Sequence, residues 1–236
     1  MRPFLLAGIG MLAAAALRGE TLRFTSGPAR VSLVELFTSE GCSSCPPAER
    51  WLGSLRDDPG LWREFVPIAF HVDYWNRLGW PDRFSTREFT AREYAYAESW
   101  RSGSVYTPCA VLNGVEWRTG GKPPRSESVI GSLVAAYDGA RVSVEFSPAK
   151  EPAAHDYEVH AAILGAGIVS KVSLGENHGE TLRHEFVALV QASARLGNDL
   201  ALKVPATAGV PRHALAVWIT RRGEVTPVQA VGGWLD

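Results

Sequence analysis

The spacing of apolar positions changes character along the chain. Residues 30–37 (RVSLVELF) form a short apolar run rich in β-branched and aromatic side chains, which predicts a buried strand. Residues 38–44 are polar, and Pro46-Pro47 then open a helix expected to run to about Arg56. Proline suits a first helical turn, where its missing N–H has no intrahelical partner anyway. Residues 65–71 (FVPIAFH) read as a second strand, so the opening pattern is strand, turn, helix, strand. After an aromatic loop (73–84), Ser85 is placed as N-cap of a helix, with Glu88 closing a capping box and Phe84 and Phe89 a hydrophobic staple. That helix should end near Trp100. Residues 107–112 (TPCAVL) predict a strand, Asn113-Gly114 a hairpin turn, and 115–118 its return. Val129, Leu133 and Val134 suggest a closing helix over 126–137.

Beyond about residue 140 the helical period disappears. Residues 141–146 (RVSVEF) alternate strictly, and strand-like runs follow at 157–164, 168–174, 182–191, 200–204, 214–220 and 225–231. Short strands separated by Gly, Pro and Asn turns predict a β-rich, sandwich-like domain over 140–236, with the boundary near Gly139.

The first residues stand apart. Arg2 precedes an apolar stretch over 4–16 (FLLAGIGMLAAAA) that ends in small residues, the layout of a signal peptide over 1–20. The run is shorter than the roughly 20 residues a spanning helix needs. A periplasmic or secreted location is therefore expected, with no membrane span after cleavage. The net charge of −1 offers no field for nucleic acid, so no nucleic-acid partner is expected. Gly-x-Ser-x-Gly, His-Glu-x-x-His and phosphate-loop patterns are absent.

In an exported chain, three cysteines are too few for a disulfide-stapled scaffold. Cys42 and Cys45 close only a small ring, which loop entropy credits with about 2 kcal/mol. Reversible redox chemistry or metal binding explains the pair better. At a helix start, unpaired N–H groups favour thiolate, so Cys42 is the expected exposed nucleophile and Cys45 the resolving thiol. Ser43 and Ser44 between them carry no charge to set a potential. Partners would be protein or small-molecule thiols and disulfides, with no organic cofactor and no resident metal.

The run 34–48 (VELFTSEGCSSCPPA), with 70–75 (FHVDYW), 78–80 (LGW) and 105–108 (VYTP), resembles a family of secreted bacterial proteins of unknown function with a thioredoxin-like fold. Residues 175–177 (GEN) and 181–184 (TLRH) extend the resemblance into the second half. It implies an α/β thioredoxin-like domain over 28–139 ahead of the β-rich one. It also implies that Thr107-Pro108 is the Thr–cis-Pro element facing the dithiol, where the residue before proline pairs with substrate. The leading reading is a thiol–disulfide oxidoreductase. A soft-metal module holding Cu(I) between Cys42, Cys45 and either Cys109 or His71 is one alternative. A non-catalytic interaction protein is another. Cys109 is either an accessory thiol or a small buried hydrophobe. His71 and Asp73 either tune the dithiol or close a strand. Tyr74, Trp75 and Trp80 line a groove or form a local cluster. Glu176, Asn177, His178 and His184 form a binding group or a solvated turn.

Overall fold

The computed structural model describes residues 20–118, 120–150 and 156–236. The expected signal peptide lies, save its last residue, outside them. The strands are β1 (Leu22–Thr25), β2 (Ser32–Thr38), β3 (Phe65–His71), β4 (Cys109–Leu112), β5 (Val115–Glu116), β6 (Gly131–Tyr137) and β7 (Arg141–Pro148). They continue with β8 (Tyr157–Ala166), β9 (Ile168–Lys171), β10 (Thr181–His184), β11 (Val187–Arg195), β12 (Leu200–Ala201), β13 (Arg212–Arg221) and β14 (Pro227–Trp234). Helices α1 (Pro46–Ser54) and α2 (Arg87–Ser99) are the two α-helices among the described residues.

The expected α/β thioredoxin-like architecture is corrected here. Strand accounts for 43% of the described residues against 13% helix, and the fold is β-rich and sandwich-like. One reason is local: residues 131–137 form strand β6 where a closing helix was expected. Their burial alternates, so Leu133, Ala135 and Tyr137 face inward at period two, and β6 pairs with β1 and β7. The other reason is long-range. An eight-stranded sheet runs β14-β13-β8-β11-β3-β2-β4-β5, and so joins strands from both sides of residue 139. The seam is β11 beside β3, in parallel, with Val187 opposite Ala69. Gly139 itself lies in the turn between the paired strands β6 and β7.

A four-stranded sheet, β1-β6-β7-β12, packs on one face of the large sheet. Because β8 and β13 are covered on both faces, they read as apolar runs. Val159, Ala161, Ile163, Val217 and Ile219 enter the core between the sheets, whereas Ala162, Leu164, Ala216 and Trp218 join the core under the helices. Phe37, Phe70, Phe89 and Tyr96 pack in that second core, with Phe37 and Phe70 stacked at 5.7 Å. This core fixes β2, β3 and α2, and so the turn that carries the cysteines.

Several local expectations meet the structure closely. β3 spans the expected 65–71, and Asn113 and Gly114 both take positive φ (51° and 85°), as the two-residue hairpin between β4 and β5 requires. Helix α2 starts one residue late. Thr86, not Ser85, is its N-cap, its hydroxyl oxygen accepting from the Phe89 amide at 3.1 Å. Ser85 instead donates to the Asp82 carbonyl. The single strand expected over 182–191 is two, β10 and β11, broken where Phe186 adopts φ 58°. Among the described residues no helix is long and apolar enough to cross a membrane.

Candidate functional site: a covered disulfide over a buried histidine–carboxylate cluster

Strand β2 delivers the chain into a tight polar turn, and α1 leaves it. Cys42 and Cys45 occupy that turn and form a disulfide, their Cα atoms 5.4 Å apart. Cys45 is the N-cap of α1, and its carbonyl accepts from the amides of Ala48 and Glu49. Pro46 and Pro47 sit in the first turn, as the sequence indicates. The Ser44 hydroxyl lies 3.4 Å from the Cys42 sulfur.

The expected exposure of Cys42 is corrected: both cysteines are fully buried (0%), and only Ser43 and Ser44 between them reach solvent. The cover comes from the β9–β10 connection. The Asn177 amide donates to the carbonyls of Glu40 (2.9 Å) and Cys42 (3.0 Å), and Glu176 accepts from the Ser43 hydroxyl (2.7 Å) and amide (3.2 Å). Those hydrogen bonds hold the Glu176 carboxyl below the usual range. So the 176–177 pair belongs with the dithiol, and His178 lines the adjoining cleft.

Behind the turn lies a buried cluster of two histidines and three carboxylates. His71, at the end of β3, donates through Nδ1 to Asp82 Oδ2 at 2.6 Å, since an ionised carboxylate only accepts. Asp82 also accepts from the amides of Glu40 and Phe84. His184, at the end of β10, hydrogen-bonds Glu49 through Nδ1, while its Nε2 lies 3.2 Å from Glu40 Oε1. The Thr38 hydroxyl donates to Glu49 at 2.6 Å and the Trp80 indole to Glu40 at 2.7 Å.

Burial alone would raise all three carboxyls. The hydrogen bond and charge of His184 instead hold Glu49 low, its hydrogen bond holds Glu40 low, and the charge of His71 holds Asp82 low. Burial would lower both imidazoles, but Asp82 raises His71, and Glu40 with Glu49 push His184 up to about 10. The cluster therefore favours ionised carboxylates facing imidazolium.

Sequence reasoning missed Glu40, Glu49 and Asp82. Glu49 carried a signal: it stands four residues after Cys45, one helical turn along α1. Asp82 carried none, because only the fold brings the 76–84 loop back to β3. Asp73 does not join His71. It exchanges hydrogen bonds with Thr90 and ties the loop to α2.

Thr107-Pro108 is a cis peptide bond. The Thr107 hydroxyl oxygen accepts from the Trp75 indole at 2.7 Å, and Trp75 packs against Gly41, where an added Cβ would come within 3.3 Å of the Trp75 Cβ. Of the loop aromatics, Trp75 and Trp80 are therefore braces of the cysteine turn, and Tyr74 donates to Glu93. Pro108 and Pro47 line one open, largely apolar cleft of about 590 Å³ with Trp51, Tyr106 and Trp117. Cys109 is a buried free thiol on β4, opposite Phe37. It borders a pocket with Glu93 and Tyr106, and burial pushes it up to about 12. Among the described residues the grouping of three potential metal ligands is Glu49, His71 and His184, and it includes no cysteine. Joined in a disulfide, Cys42 and Cys45 offer no thiolate pair in this state for the Cu(I) site expected with Cys109 or His71.

These features define a β-rich, sandwich-like protein with a covered Cys-x-x-Cys disulfide at a helix start. The chain belongs to the family described as "Protein of unknown function (DUF1223)", whose model matches residues 33–220. A crystal structure of a protein from Agrobacterium tumefaciens is similar at TM-score 0.60 and 24% identity, covering 88% of this chain and 94% of that one. HBP35 of Porphyromonas gingivalis is similar at TM-score 0.55 and 10% identity, covering 89% and 77%. These likenesses are of fold. No curated protein matches the chain.

Proposed function

We propose that this protein is an exported thiol–disulfide oxidoreductase working through Cys42 and Cys45. The observation that carries the reading is the disulfide-paired cysteines at the N-terminal end of α1, where the helix dipole favours a thiolate. Ser44 adds a hydroxyl beside the Cys42 sulfur. In the reduced protein the Cys42 thiolate attacks a substrate disulfide, forming a mixed disulfide and expelling one substrate thiolate. The Cys45 thiolate then attacks the Cys42 sulfur and releases the second. The substrate gains two electrons and the Cys42–Cys45 bond returns; the reverse sequence oxidises a dithiol. Thr107-Pro108 and the cleft of Trp51, Tyr106 and Trp117 supply the surface on which an extended substrate chain lies. Substrates are protein or small-molecule disulfides or thiols in the periplasm or outside the cell.

The full burial of both sulfurs favours a second reading, a closed interaction module whose disulfide does not turn over. Equilibration in glutathione buffers, with thiol trapping and mass spectrometry, separates the two. A two-electron transition between about −120 and −270 mV, the span of known redox partners, supports the oxidoreductase. A pair that stays oxidised well below that span supports the closed module.

A further inference from the structure

The buried cluster has the chemistry of a metal site that uses no cysteine. Glu49, His71 and His184 each place one ligating atom within 4.8 Å of the others. His71 Nδ1 is committed to Asp82, which leaves Nε2 as the ring nitrogen that can ligate once it gives up its proton. That atom is fully buried and has no hydrogen-bond partner. The two imidazoles meet edge to face at 5.3 Å. Thr38 holds Glu49 Oε1, which leaves Oε2 turned toward His184. Each imidazole also has its own carboxylate on the far side, Asp82 for His71 and Glu40 for His184. That is the outer arrangement by which proteins fix the tautomer and basicity of ligating histidines.

We propose that Glu49, His71 and His184 bind a divalent transition-metal cation of the zinc type, with Asp82 and Glu40 orienting the two histidines. Two nitrogens and one carboxylate oxygen suit that class, and three protein ligands leave a fourth position open. Bonds of about 2.0–2.1 Å on a tetrahedral ion set donor atoms about 3.4 Å apart, so His184 Nδ1 and Glu49 Oε2, hydrogen-bonded to each other here, separate to admit the ion while His71 Nε2 draws in. Entry is through a cleft of about 430 Å³ that Glu49 lines together with Ser43, Glu176 and Asn177. The inference does not rest on the dithiol chemistry.

The test is titration of chelator-stripped full chain with Zn²⁺ and Co²⁺. The proposal expects one ion per chain retained through gel filtration, proton release on binding, and a cobalt spectrum with visible d–d bands but no sulfur-to-metal charge transfer. The Cys42→Ser/Cys45→Ser double variant keeps the ion. His71→Gln weakens retention at least ~100-fold, and Asp82→Asn weakens it ~10–100-fold, as loss of an outer partner does. Folded wild-type protein that retains no metal overturns the proposal. So does a thiolate charge-transfer band, or a folded His71→Gln chain that binds like wild type. Should His71→Gln fail to fold, the wild-type cobalt spectrum and the double-serine control decide alone.

Discussion

The side-chain amide of Asn177 donates to the carbonyl of Cys42 at 3.0 Å across 135 residues of sequence, and donates again to Glu40 at 2.9 Å. Two buried carbonyls of the cysteine turn thus gain a donor from the second half of the chain, the Cys42 carbonyl also accepting from the Cys45 amide at 3.2 Å. Asn177→Ala leaves both without that donor, and a lost partner of this kind costs about 1–3 kcal/mol. The variant should unfold at lower urea with an unchanged slope, and its disulfide should be reduced by dithiothreitol several-fold faster than that of wild type.

Glu176 acts differently, because it is exposed and bonds to an exposed serine. Glu176→Ala should leave the urea midpoint within error of wild type, since such surface contacts contribute little. It should still speed reduction by dithiothreitol, since the Ser43 tether over the sulfurs is gone. Unchanged reduction rates in both variants would show that this connection is not the cover of the disulfide.

Cys109 is buried beside Glu93, and burial raises its thiol to about 12. Almost no thiolate exists at neutral pH, so native protein should resist iodoacetamide and unfolded protein should be labelled once per chain. Cys109→Ala should leave the Cys42–Cys45 reduction potential unchanged. A shift in that potential would make Cys109 part of the redox site.

Glu93 provides a pH signature. Burial raises its carboxyl from 4.5 to about 7, and one of its oxygens has no hydrogen-bond partner. The folded chain therefore keeps this proton up to about pH 7, whereas the unfolded chain loses it near 4.5. Its contribution falls as pH rises from 4.5 to 7 and stays low above that. Glu93→Gln removes the ionisation, so it should stabilise the protein at pH 8 relative to its effect at pH 5. At about 1.4 kcal/mol per pH unit, that relative gain is capped near ~3 kcal/mol. Urea midpoints at the two pH values check it.

The elements with short-range signals were legible from the chain. The apolar run of β3, the prolines opening α1 and the Asn113-Gly114 turn are set by sterics and hydrogen bonding within a few residues. The N-cap of α2 shifted from Ser85 to Thr86 because both residues cap well, and the Asp82 carbonyl took the Ser85 hydroxyl. Residues 131–137 became strand because β1 and β7 offer backbone partners on both sides. Local apolar spacing cannot register such partners, since Leu133 and Val134 fit a helical face as well as a strand.

At the site, the sequence by itself determined that Cys42 and Cys45 sit three residues apart at the start of a helix, since proline chemistry and apolar spacing act over single turns. What the tertiary structure decided is everything that touches them. Only pairing of β11 with β3 brings the β9–β10 connection over the sulfurs and places His184 against Glu49. Only the return of the 76–84 loop sets Asp82 against His71. Burial, tautomer and proton affinity all depend on contacts between residues 11 to 135 positions apart, and such contacts exist only once the sheet has closed.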